Sequence, residues 1–427
     1  MSSVTIRPAR SIVGAVRLPG DKSISHRYAM LAAIAQGRTR LQNFASGADC
    51  ASTLACLRAL GCTVEQTAGG IVEIEGQGRE MSAPVAPLDC GNSGSTMRML
   101  AGILAAQAFS SELVGDASLS RRPMARVIEP LTAMGAKISS DDGHAPLRIT
   151  GNKLHAIDYT LPVSSAQVTT ALLFAGLLAE GETRITEPMR TRDHGELALA
   201  AFGAKISRHA KGASLGGGQP LHAIQAGIPG DISSAAFFLC AAALFPGSNL
   251  VLDGLLLNPT RATLLDVLAG NGTRVAMLNL EEHHGELVGT VRVEGGALRG
   301  STIAGAQTAA LIDELPVLAA IAPFTEDGIE IRDARELRMK ESDRIAAAAR
   351  NLRTMGAEVE EQEDGLRVPG RQKLRGAVID SGGDHRIAMA FAIAALRVEG
   401  ETTIRGSDAA QVSYPEFFDV LDRIVER

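Results

Sequence analysis

The chain has 427 residues, of which 45% are hydrophobic and 21% are charged, and its formal net charge at pH 7 is -6. That length exceeds one ordinary hydrophobic core, so two domains of about 200 residues each are predicted. The acidic balance argues against a general nucleic-acid or membrane-surface binder, since such proteins usually present a basic surface. It leaves room for a local cationic site that binds a small anion.

Cysteine usage and the absence of targeting signals indicate a soluble, cytoplasmic protein. The five cysteines show no CxxC spacing, which favours free thiols in a reducing compartment. The first ten residues contain no signal-like apolar stretch, and no uncharged apolar run approaches the thickness of a bilayer. His283-His284 lacks a suitably spaced third ligand, and the GxGxxG fingerprint is absent, so neither a metal nor a cofactor is predicted.

Six short polar motifs each precede a nearly all-apolar helical run. A helix that is apolar on every face is normally buried, and its first N–H groups carry a positive partial charge that needs a partner. Six such helix starts facing one cleft would form a strong anion-binding site. The motifs are Gly20–Ser23, Gly91–Ser95, Val163–Gln167, Gly230–Ser234, Ile312–Glu314 and Gly383–Arg386.

The helical and strand patterns recur with a period of about 70 residues, which predicts six units along the chain. Leu-x-x-x-Gly marks a predicted helix end in five of them, as in Leu57–Gly61 and Leu352–Gly356. LPGDKSIS is echoed by IPGDISS, with Gly20 and Gly230 separated by 210 residues, or three units. We therefore expect two pseudo-symmetric α/β domains of three units each, formed by residues 14–227 and by residues 1–13 with 228–427.

The segment PGDKSISHR concentrates groups that bind anions. Its glycine permits close backbone approach, while Lys22, Ser23 and Arg27 supply an ammonium, a hydroxyl and a guanidinium within about one helical turn. This is a compact site for a phosphate or a carboxylate, although a solvated helix start is the alternative.

A second charged segment, Leu337–Arg344, combines a lysine with a carboxylate. On a continuous helix, Lys340 would share a face with both Glu336 and Arg344. A salt-bridged surface helix is the commoner meaning of such a charge run. A Lys340/Glu341 pair would suit proton transfer if burial moved their proton affinities toward neutrality.

Three further charged motifs stay open between a functional and an ordinary structural role. Asp313-Glu314 precedes an apolar helix, where capping is the alternative. Arg121-Arg122 is followed by a proline and would otherwise be surface charge, and Arg192-Asp193-His194 would otherwise be an exposed loop.

At these residues the chain resembles the 5-enolpyruvylshikimate-3-phosphate (EPSP) synthase family along essentially its full length. The resemblance implies two inverse α/β domains, each made of three βαβαββ units in an inside-out barrel, with helix N-termini directed into an interdomain cleft. It implies transfer of the enolpyruvyl group of phosphoenolpyruvate to the 5-hydroxyl of shikimate 3-phosphate by a monomer, with release of phosphate. The stretches that carry it are LPGDKSISHR, GNSGSTMR, RRPM, SSAQ, RDH, IPGDISSAA, IDELP, MKESDR and GGDHRIAMA.

The resemblance also implies roles for individual residues. Asp313 is the family's usual proton acceptor and Glu341 a proton donor or relay, and the division of proton roles among Asp313, Glu341 and Lys22 stays open. The residues implied to bind shikimate 3-phosphate are Lys22, Ser23, Arg27, Ser165, Gln167, Arg192, Asp313 and Lys340. Those implied to bind phosphoenolpyruvate are Lys22, Gly94, Arg122, Gln167, Arg344 and Arg386.

The sequence departs from the family pattern at two positions. Gln411 stands where many relatives carry a lysine, so one contact to phosphoenolpyruvate would be neutral, and Ala166 stands where some relatives have a serine. Gly94 leaves room for the phosphoenolpyruvate-like inhibitor glyphosate, which an alanine would crowd. Because Ser95 and Met99 also vary from some relatives, the sensitivity to glyphosate stays open.

Two rival functions are weighed. The sister enolpyruvyl transferases that act on UDP-N-acetylglucosamine usually carry a reactive cysteine near their Arg-Pro segment, and no cysteine stands near Arg122-Pro123. A non-catalytic relative would bind shikimate 3-phosphate without turnover. The presence of Asp313, Lys340 and Glu341 argues against it.

Overall fold

The chain forms two compact units in a computed structural model that describes residues 2–67 and 69–427. The N-terminal unit comprises Gly20–Ile228 with Glu282–Glu286. The C-terminal unit comprises the segment that ends at Pro19, together with Pro229–Glu281 and Leu287–Arg427. The domain boundaries predicted from the sequence stay a prediction, and residue 1 of that scheme lies outside the described residues.

Two strands, β1 (Ser3–Ile6) and β2 (Ser11–Arg17), open the chain and belong to the C-terminal unit. The helices of the N-terminal unit are α1 (Lys22–Ile34), α2 (Ala48–Ala59), α3 (Gly94–Leu104), α4 (Ala125–Ala133), α5 (Ala166–Leu178) and α6 (His194–Ala201), with a 3₁₀ helix at Leu119–Arg121. Its strands are β3 (Arg38–Gln42), β4 (Thr63–Thr67), β5 (Ile71–Glu75), β6 (Leu88–Asp89), β7 (Ser110–Val114), β8 (Lys137–Asp141), β9 (His144–Thr150), β10 (Asp158–Thr160), β11 (Glu182–Thr186), β12 (Ile206–His209), β13 (Gly212–Gly216) and β14 (Gln225–Gly227).

The N-terminal unit repeats one sheet pattern three times. Its four-stranded sheets have the orders β14-β3-β5-β4, β6-β7-β9-β8 and β10-β11-β13-β12. In each sheet the first two strands are parallel and the following pairs are antiparallel. The predicted repeat is therefore visible in the hydrogen bonding of the strands.

The C-terminal unit contains strands β15 (Asn249–Leu256), β16 (Arg274–His283), β17 (Glu286–Glu294), β18 (Ser301–Ile303), β19 (Ile329–Ile331), β20 (Glu360–Gln362), β21 (Gly365–Val368), β22 (Val378–Asp380), β23 (Thr402–Arg405) and β24 (Val425–Glu426). Its helices are α7 (Ile232–Ala243), α8 (Thr263–Gly270), α9 (Ala306–Ala310), α10 (Leu315–Ile321), α11 (Arg344–Thr354), α12 (His385–Ala395) and α13 (Phe417–Ile424), with 3₁₀ helices at Ala322–Phe324, Arg335–Met339 and Ser407–Val412. The sheets have the orders β16-β17-β15-β2-β24, β18-β19-β21-β20 and β1-β23-β22. A parallel pair joined to an antiparallel neighbour again recurs three times.

Three helices form the buried centre of each unit: α1, α3 and α5 in one, and α7, α10 and α12 in the other. Every residue of α7, α10 and α12 is buried. Helix α3 packs against α5, and α12 packs against α10 and α7. Because these helices are apolar over most of their length, burial supplies most of their stability, at roughly 1.5–3 kcal/mol for each large side chain. The prediction of buried apolar helices is confirmed.

Side-chain caps begin five of these six helices, with α10 as the exception. Asp21 caps α1 and Ser93 caps α3, and each satisfies a backbone N–H two or three residues into its helix. Ser165, Asp231 and Asp384 do the same for α5, α7 and α12. Glu314 occupies the N-cap position of α10 without a side-chain capping hydrogen bond.

The chain does not form one continuous helix across Glu336–Arg344, so the helix considered for this segment is wrong. The chain forms a 3₁₀ helix over Arg335–Met339, Lys340 is extended, and α11 begins only at Arg344. Asp343 caps α11, since its Oδ1 accepts a hydrogen bond of 3.0 Å from the Ala346 N–H. An aspartate that bonds to the backbone in this way favours a helix start over a helix interior. Lys340 and Glu341 therefore lie on a short loop. In the described part of the chain, no helix is both long and apolar enough to cross a membrane.

Candidate active site

Lys22 is the first residue of α1, and its ammonium is held by a buried carboxylate. Lys22 Nζ lies 2.9 Å from Asp49 Oδ2, and the two side chains are 20% and 7% exposed. The helix start adds positive partial charge beside the ammonium, which Asp49 offsets. A freely solvated helix start is therefore not what the structure shows.

Arg27, one turn further along α1, is buried and joins α1 to α5. Its Nε and Nη2 donate to Thr170 Oγ1 at 3.1 and 2.9 Å, and Nη2 also donates to the Ala166 carbonyl at 3.3 Å. Burial lowers the pKa of Arg27 to about 10, against the opposing effect of Glu196. The Ala166 carbonyl is thus occupied in orienting the guanidinium.

Arg192 lies close enough to Arg27 that its charge further lowers the Arg27 pKa, although burial is the larger cause. Two guanidiniums therefore add to the positive potential of one region. His194, two residues after Arg192, begins α6 and is buried, so the motif Arg192-Asp193-His194 is not an exposed loop throughout. Ser165, predicted to contact the same substrate, caps α5 by accepting a hydrogen bond of 3.5 Å from the Val168 N–H.

Gln167 and Arg98 join the starts of α5 and α3. Arg98 Nη1 donates to Gln167 Oε1 at 2.9 Å, and Gln167 Nε2 donates to Ser95 Oγ at 2.9 Å. The Gln167 amide is thereby fixed in orientation, because a charged donor and a hydroxyl acceptor bind its opposite ends.

Gly94 and Arg122 extend this cluster. Arg122 is buried, and it donates to Asn92 Oδ1 at 2.6 Å and to the Asn92 carbonyl at 3.2 Å, so it is not mere surface charge. A Cβ atom on Gly94 would lie 2.7 Å from Arg98 Nη1 and 3.5 Å from Arg122 Nη1. The absence of a side chain at Gly94 keeps space in front of both guanidiniums.

A buried polar chain links α1, α2 and α3. His26 Nδ1 lies 2.7 Å from Thr53 Oγ1, which lies 2.7 Å from Thr96 Oγ1. Burial, together with the charges of Lys22 and Arg27, lowers the pKa of His26 well below its ordinary value. His26 is therefore neutral at pH 7 and acts as a structural link.

Arg344 is the centre of a second charged cluster, in the C-terminal unit. Its Nε donates to Asp384 Oδ2 at 2.8 Å, and its Nη2 donates to Glu341 Oε2 at 2.6 Å. The Arg344 side chain is 1% exposed, whereas that of Glu341 is 16% exposed. Burial opposes the charged form, but Asp384 and Glu341 outweigh it, so the pKa of Arg344 is raised and the guanidinium is permanently charged.

Asp313 lies between two guanidiniums of that cluster. Its carboxylate oxygens lie 3.8 Å from Arg344 Nη1 and 3.7 Å from Arg386 Nη2. Arg386 Nη1 also donates to the Asp313 carbonyl at 2.8 Å. Asp313 and Glu341 therefore share one guanidinium neighbour, and both carboxylates keep partial solvent access.

Behind Asp313, its neighbour Glu314 belongs to a fully buried ionic group. Ser233 donates to Glu314 Oε1, and Arg261 Nη2 donates to Ser233 Oγ at 2.7 Å. Arg261 and Glu314 are 2% and 1% exposed, with 4.0 Å between Arg261 Nη2 and Glu314 Oε1. This group anchors the start of α10 in place of a side-chain cap.

Comparison with known proteins places the chain in a family. A sequence model of EPSP synthase (3-phosphoshikimate 1-carboxyvinyltransferase) matches residues 6–421. A 3-phosphoshikimate 1-carboxyvinyltransferase of Koribacter versatilis (strain Ellin345) is 62% identical over 427 residues, which is 100% of each chain. One of Solibacter usitatus (strain Ellin6076) is 55% identical and covers 99% of each. The chain belongs to the EPSP synthase family.

Solved structures agree with this membership. An EPSP synthase of Acinetobacter baumannii has a TM-score of 0.89 and 40% sequence identity, covering 100% of this chain and 98% of that one. An enolpyruvyl transferase of Streptomyces tendae, at 19% identity, has a TM-score of 0.78 and shares the fold. The predicted inverse α/β class is confirmed.

Each unit brings together its own share of the residues that membership of the EPSP synthase family implies. In the N-terminal unit, the contacts described above join Arg27 to α5 and Gln167 to α3. In the C-terminal unit, Asp313, Glu341, Arg344 and Arg386 form one ionic cluster. Lys340 pairs with Glu336 at 3.3 Å. The functional roles of these residues stay predictions.

Sequence reasoning did not select three residues that organise these clusters. Asp49, Arg98 and Asp384 each bind a predicted site residue. Arg98 and Asp384 stand inside the motifs GNSGSTMR and GGDHR, which offered a signal, whereas nothing near Asp49 in the sequence points to Lys22. Gln411, at the family's lysine position, is exposed in the 3₁₀ helix Ser407–Val412.

Proposed function

We propose that this chain is a 3-phosphoshikimate 1-carboxyvinyltransferase, which transfers the enolpyruvyl group of phosphoenolpyruvate to the 5-hydroxyl of shikimate 3-phosphate. Relatives with that name span the whole chain. The observation that carries the chemistry is the pair of carboxylates, Asp313 and Glu341, gathered on the Arg344 guanidinium.

The reaction joins two polyanions, so their mutual repulsion must be cancelled before chemistry begins. In the N-terminal unit, Lys22, Arg27 and Arg122 are fixed by protein acceptors and so are preorganised to meet anions. In the C-terminal unit, Arg344 and Arg386 would supply further guanidiniums to phosphoenolpyruvate. Fixed cations of this kind stabilise negative charge without reorganisation during the reaction.

The chemistry requires one proton to leave oxygen and another to reach carbon. The 5-hydroxyl oxygen attacks C2 of phosphoenolpyruvate and gives up its proton, and C3 gains a proton, which forms a tetrahedral intermediate. Loss of a C3 proton then re-forms the double bond as phosphate leaves. We assign the hydroxyl proton to Asp313, whose carboxylate lies between two guanidiniums and keeps partial solvent access. Glu341 would donate or relay the proton at C3, with Lys22 as the third group involved.

The decisive test is phosphate release with both substrates present. We expect phosphate release only when phosphoenolpyruvate and shikimate 3-phosphate are supplied together. Mass spectrometry should then detect enolpyruvylshikimate 3-phosphate as the product. Asp313→Asn should lose almost all activity while it still binds shikimate 3-phosphate. Asp422→Asn, which alters an exposed pair with Arg427, is the matched control and should stay active.

The rival functions give different outcomes in the same assay. Release of phosphate with UDP-N-acetylglucosamine in place of shikimate 3-phosphate would identify the sister transferase reaction. Calorimetric binding of shikimate 3-phosphate without phosphate release would identify a non-catalytic relative. Either result would overturn the proposal.

We further propose a cytoplasmic monomer. All five cysteines are free and buried, which suits a reducing compartment. Light scattering during size-exclusion chromatography should give the chain mass of 44.6 kDa. A doubled mass would contradict the monomer, and a periplasmic position in cell fractionation would contradict the compartment.

A further inference from the structure

We infer that Arg338 is a positioning residue that holds the loop bearing Lys340 and Glu341, which we call the 339–343 loop. The inference rests on the proposed function, since it gives this loop its substrate and proton-transfer groups. The Arg338 side chain bonds to Asp343 and to residues 361–363, which are not among the residues predicted to bind substrate. Its effect on the reaction would therefore pass through the backbone and the end of the loop.

The guanidinium of Arg338 makes short hydrogen bonds in three directions. Its Nε donates to the Glu363 carbonyl at 2.7 Å, and its Nη2 donates to the Gln362 carbonyl at 2.6 Å. Its Nη1 donates to Asp343 Oδ2 at 2.7 Å. The two carbonyls belong to the last residue of β20 and the first residue of the turn to β21, so one side chain binds that hairpin end and Asp343 together.

These contacts span both ends of the 339–343 loop. Arg338 directly precedes the loop, and Asp343 closes it and caps α11 through its other carboxylate oxygen. Met339, inside the loop, is 51% exposed, so apolar burial contributes little there. Inside the loop, Glu341 accepts a hydrogen bond from Arg344 and Ser342 donates one to Asp384. The Arg338 fork adds the attachment at the two ends of the loop, and we infer that it sets the course of the backbone that carries Lys340 and Glu341.

Only an arginine can make this set of bonds. The guanidinium is a planar fork with donors fixed in several directions, whereas a lysine ammonium is a point donor on a flexible stem. Arg338→Lys keeps the charge and the pairing with Asp343 but cannot reach both carbonyls of the hairpin end. It therefore separates the effect of charge from the effect of geometry.

We expect Arg338→Ala to lower kcat by about 10- to 100-fold, because a displacement of about 1 Å in a catalytic group costs that much. The KM for shikimate 3-phosphate should rise several-fold, since Lys340 is predicted to bind it. The KM for phosphoenolpyruvate should stay close to the wild-type value, because Arg344 is held separately by Asp384. Arg338→Lys should lie nearer to the alanine variant than to the wild type.

Two matched controls probe the same neighbourhood. Arg335 stands on the same 3₁₀ helix and pairs with Glu363 at 3.3 Å, with both side chains more than three-quarters exposed. Glu361→Ala removes the longer contacts of 3.3 Å to Arg338 and an ion pair of 3.6 Å with Arg353, and it leaves the three short bonds of Arg338. Arg335→Ala and Glu361→Ala should both retain kcat and both KM values.

The outcomes are distinguishable. Wild-type protein that releases no phosphate would overturn the proposed function, and this inference with it. An active wild type with Arg338→Ala equal to Arg335→Ala would overturn the inference alone. The inference would also be overturned if kcat in Arg338→Ala and Arg338→Lys fell only in proportion to the loss of folded protein, as measured by thermal unfolding, while both KM values stayed unchanged.

Discussion

Asp384 holds Arg344 by two hydrogen bonds, with 2.8 Å between Arg344 Nε and Asp384 Oδ2 and 3.2 Å between Arg344 Nη2 and Asp384 Oδ1. The side chains are 1% and 0% exposed. The same carboxylate accepts a bond of 2.9 Å from the Arg386 backbone N–H and another of 2.9 Å from Ser342 Oγ. One aspartate thus orients two residues predicted to bind phosphoenolpyruvate.

Asp384→Asn keeps the shape of this side chain and removes its charge. The KM for phosphoenolpyruvate should rise about 10-fold or more. A tenfold change corresponds to about 1.4 kcal/mol, which is the size of one good interaction. The free energy of unfolding should fall by about 3 kcal/mol, because a buried guanidinium loses a charged partner. Steady-state kinetics and urea denaturation measure the two effects. A wild-type KM in this variant would contradict the assignment of Arg344.

Lys22 and Asp49 allow function and stability to be separated. Lys22→Ala should abolish phosphate release, and it should lower the free energy of unfolding by about 1–3 kcal/mol because the buried Asp49 loses its ion-pair partner. Lys22→Ala with Asp49→Ala should recover part of that stability and none of the activity. Lys153→Ala, which alters an exposed pair with Glu180, is the control and should match the wild type. Activity in the double variant would show that Lys22 serves only to neutralise Asp49.

The sequence predicted the buried helices well, because a helix such as α7 is apolar on every face and has only one stable position. The failure at Glu336–Arg344 has a local cause: Asp343 starts a new helix, and spacing alone does not show which backbone group an aspartate binds. Ion pairs between distant parts of the chain could not be predicted from the sequence. Arg261 and Glu314, for example, are 53 residues apart, and no periodicity connects them. The motifs themselves singled out Lys22, Arg27 and Lys340, the family resemblance assigned the substrate roles, and the structure supplied the partners of these residues.

Gly94→Ala should weaken binding of phosphoenolpyruvate and of glyphosate. The new Cβ would lie 2.7 Å from Arg98 Nη1, which would have to move and would then strain its bond to Gln167. We expect a rise of about 10-fold in the KM for phosphoenolpyruvate and in the glyphosate concentration for half inhibition, equal to about 1.4 kcal/mol. Gly216→Ala is the control, because a Cβ there meets nothing within 4 Å. Unchanged constants for Gly94→Ala would show that Arg98 moves without cost to the site.

His26 should make the stability of the chain depend on pH below neutrality. Burial, followed by Lys22 and Arg27, lowers its pKa well below the ordinary 6.5, whereas the unfolded chain takes up a proton near that value. The unfolded state therefore binds more protons than the folded state as the pH falls below about 6.5, and the free energy of unfolding should drop by about 1.4 kcal/mol per pH unit from this residue. The loss stops only below the lowered pKa of the folded state.

His26→Gln removes that titration while it retains a polar group opposite Thr53. At pH 7.5 the variant should be somewhat less stable than the wild type, because it loses the buried imidazole ring and its 2.7 Å hydrogen bond to Thr53 Oγ1. Between pH 6.5 and 5.5 its free energy of unfolding should fall less than that of the wild type, by about 1 kcal/mol, because the unfolded histidine is only half protonated at pH 6.5. Urea denaturation at pH 7.5, 6.5 and 5.5 gives both slopes, with the three pH values kept above the range in which most carboxylates titrate. Parallel slopes for the two proteins would mean that the folded state protonates His26 as readily as the unfolded chain does, which its complete burial beside two cations argues against.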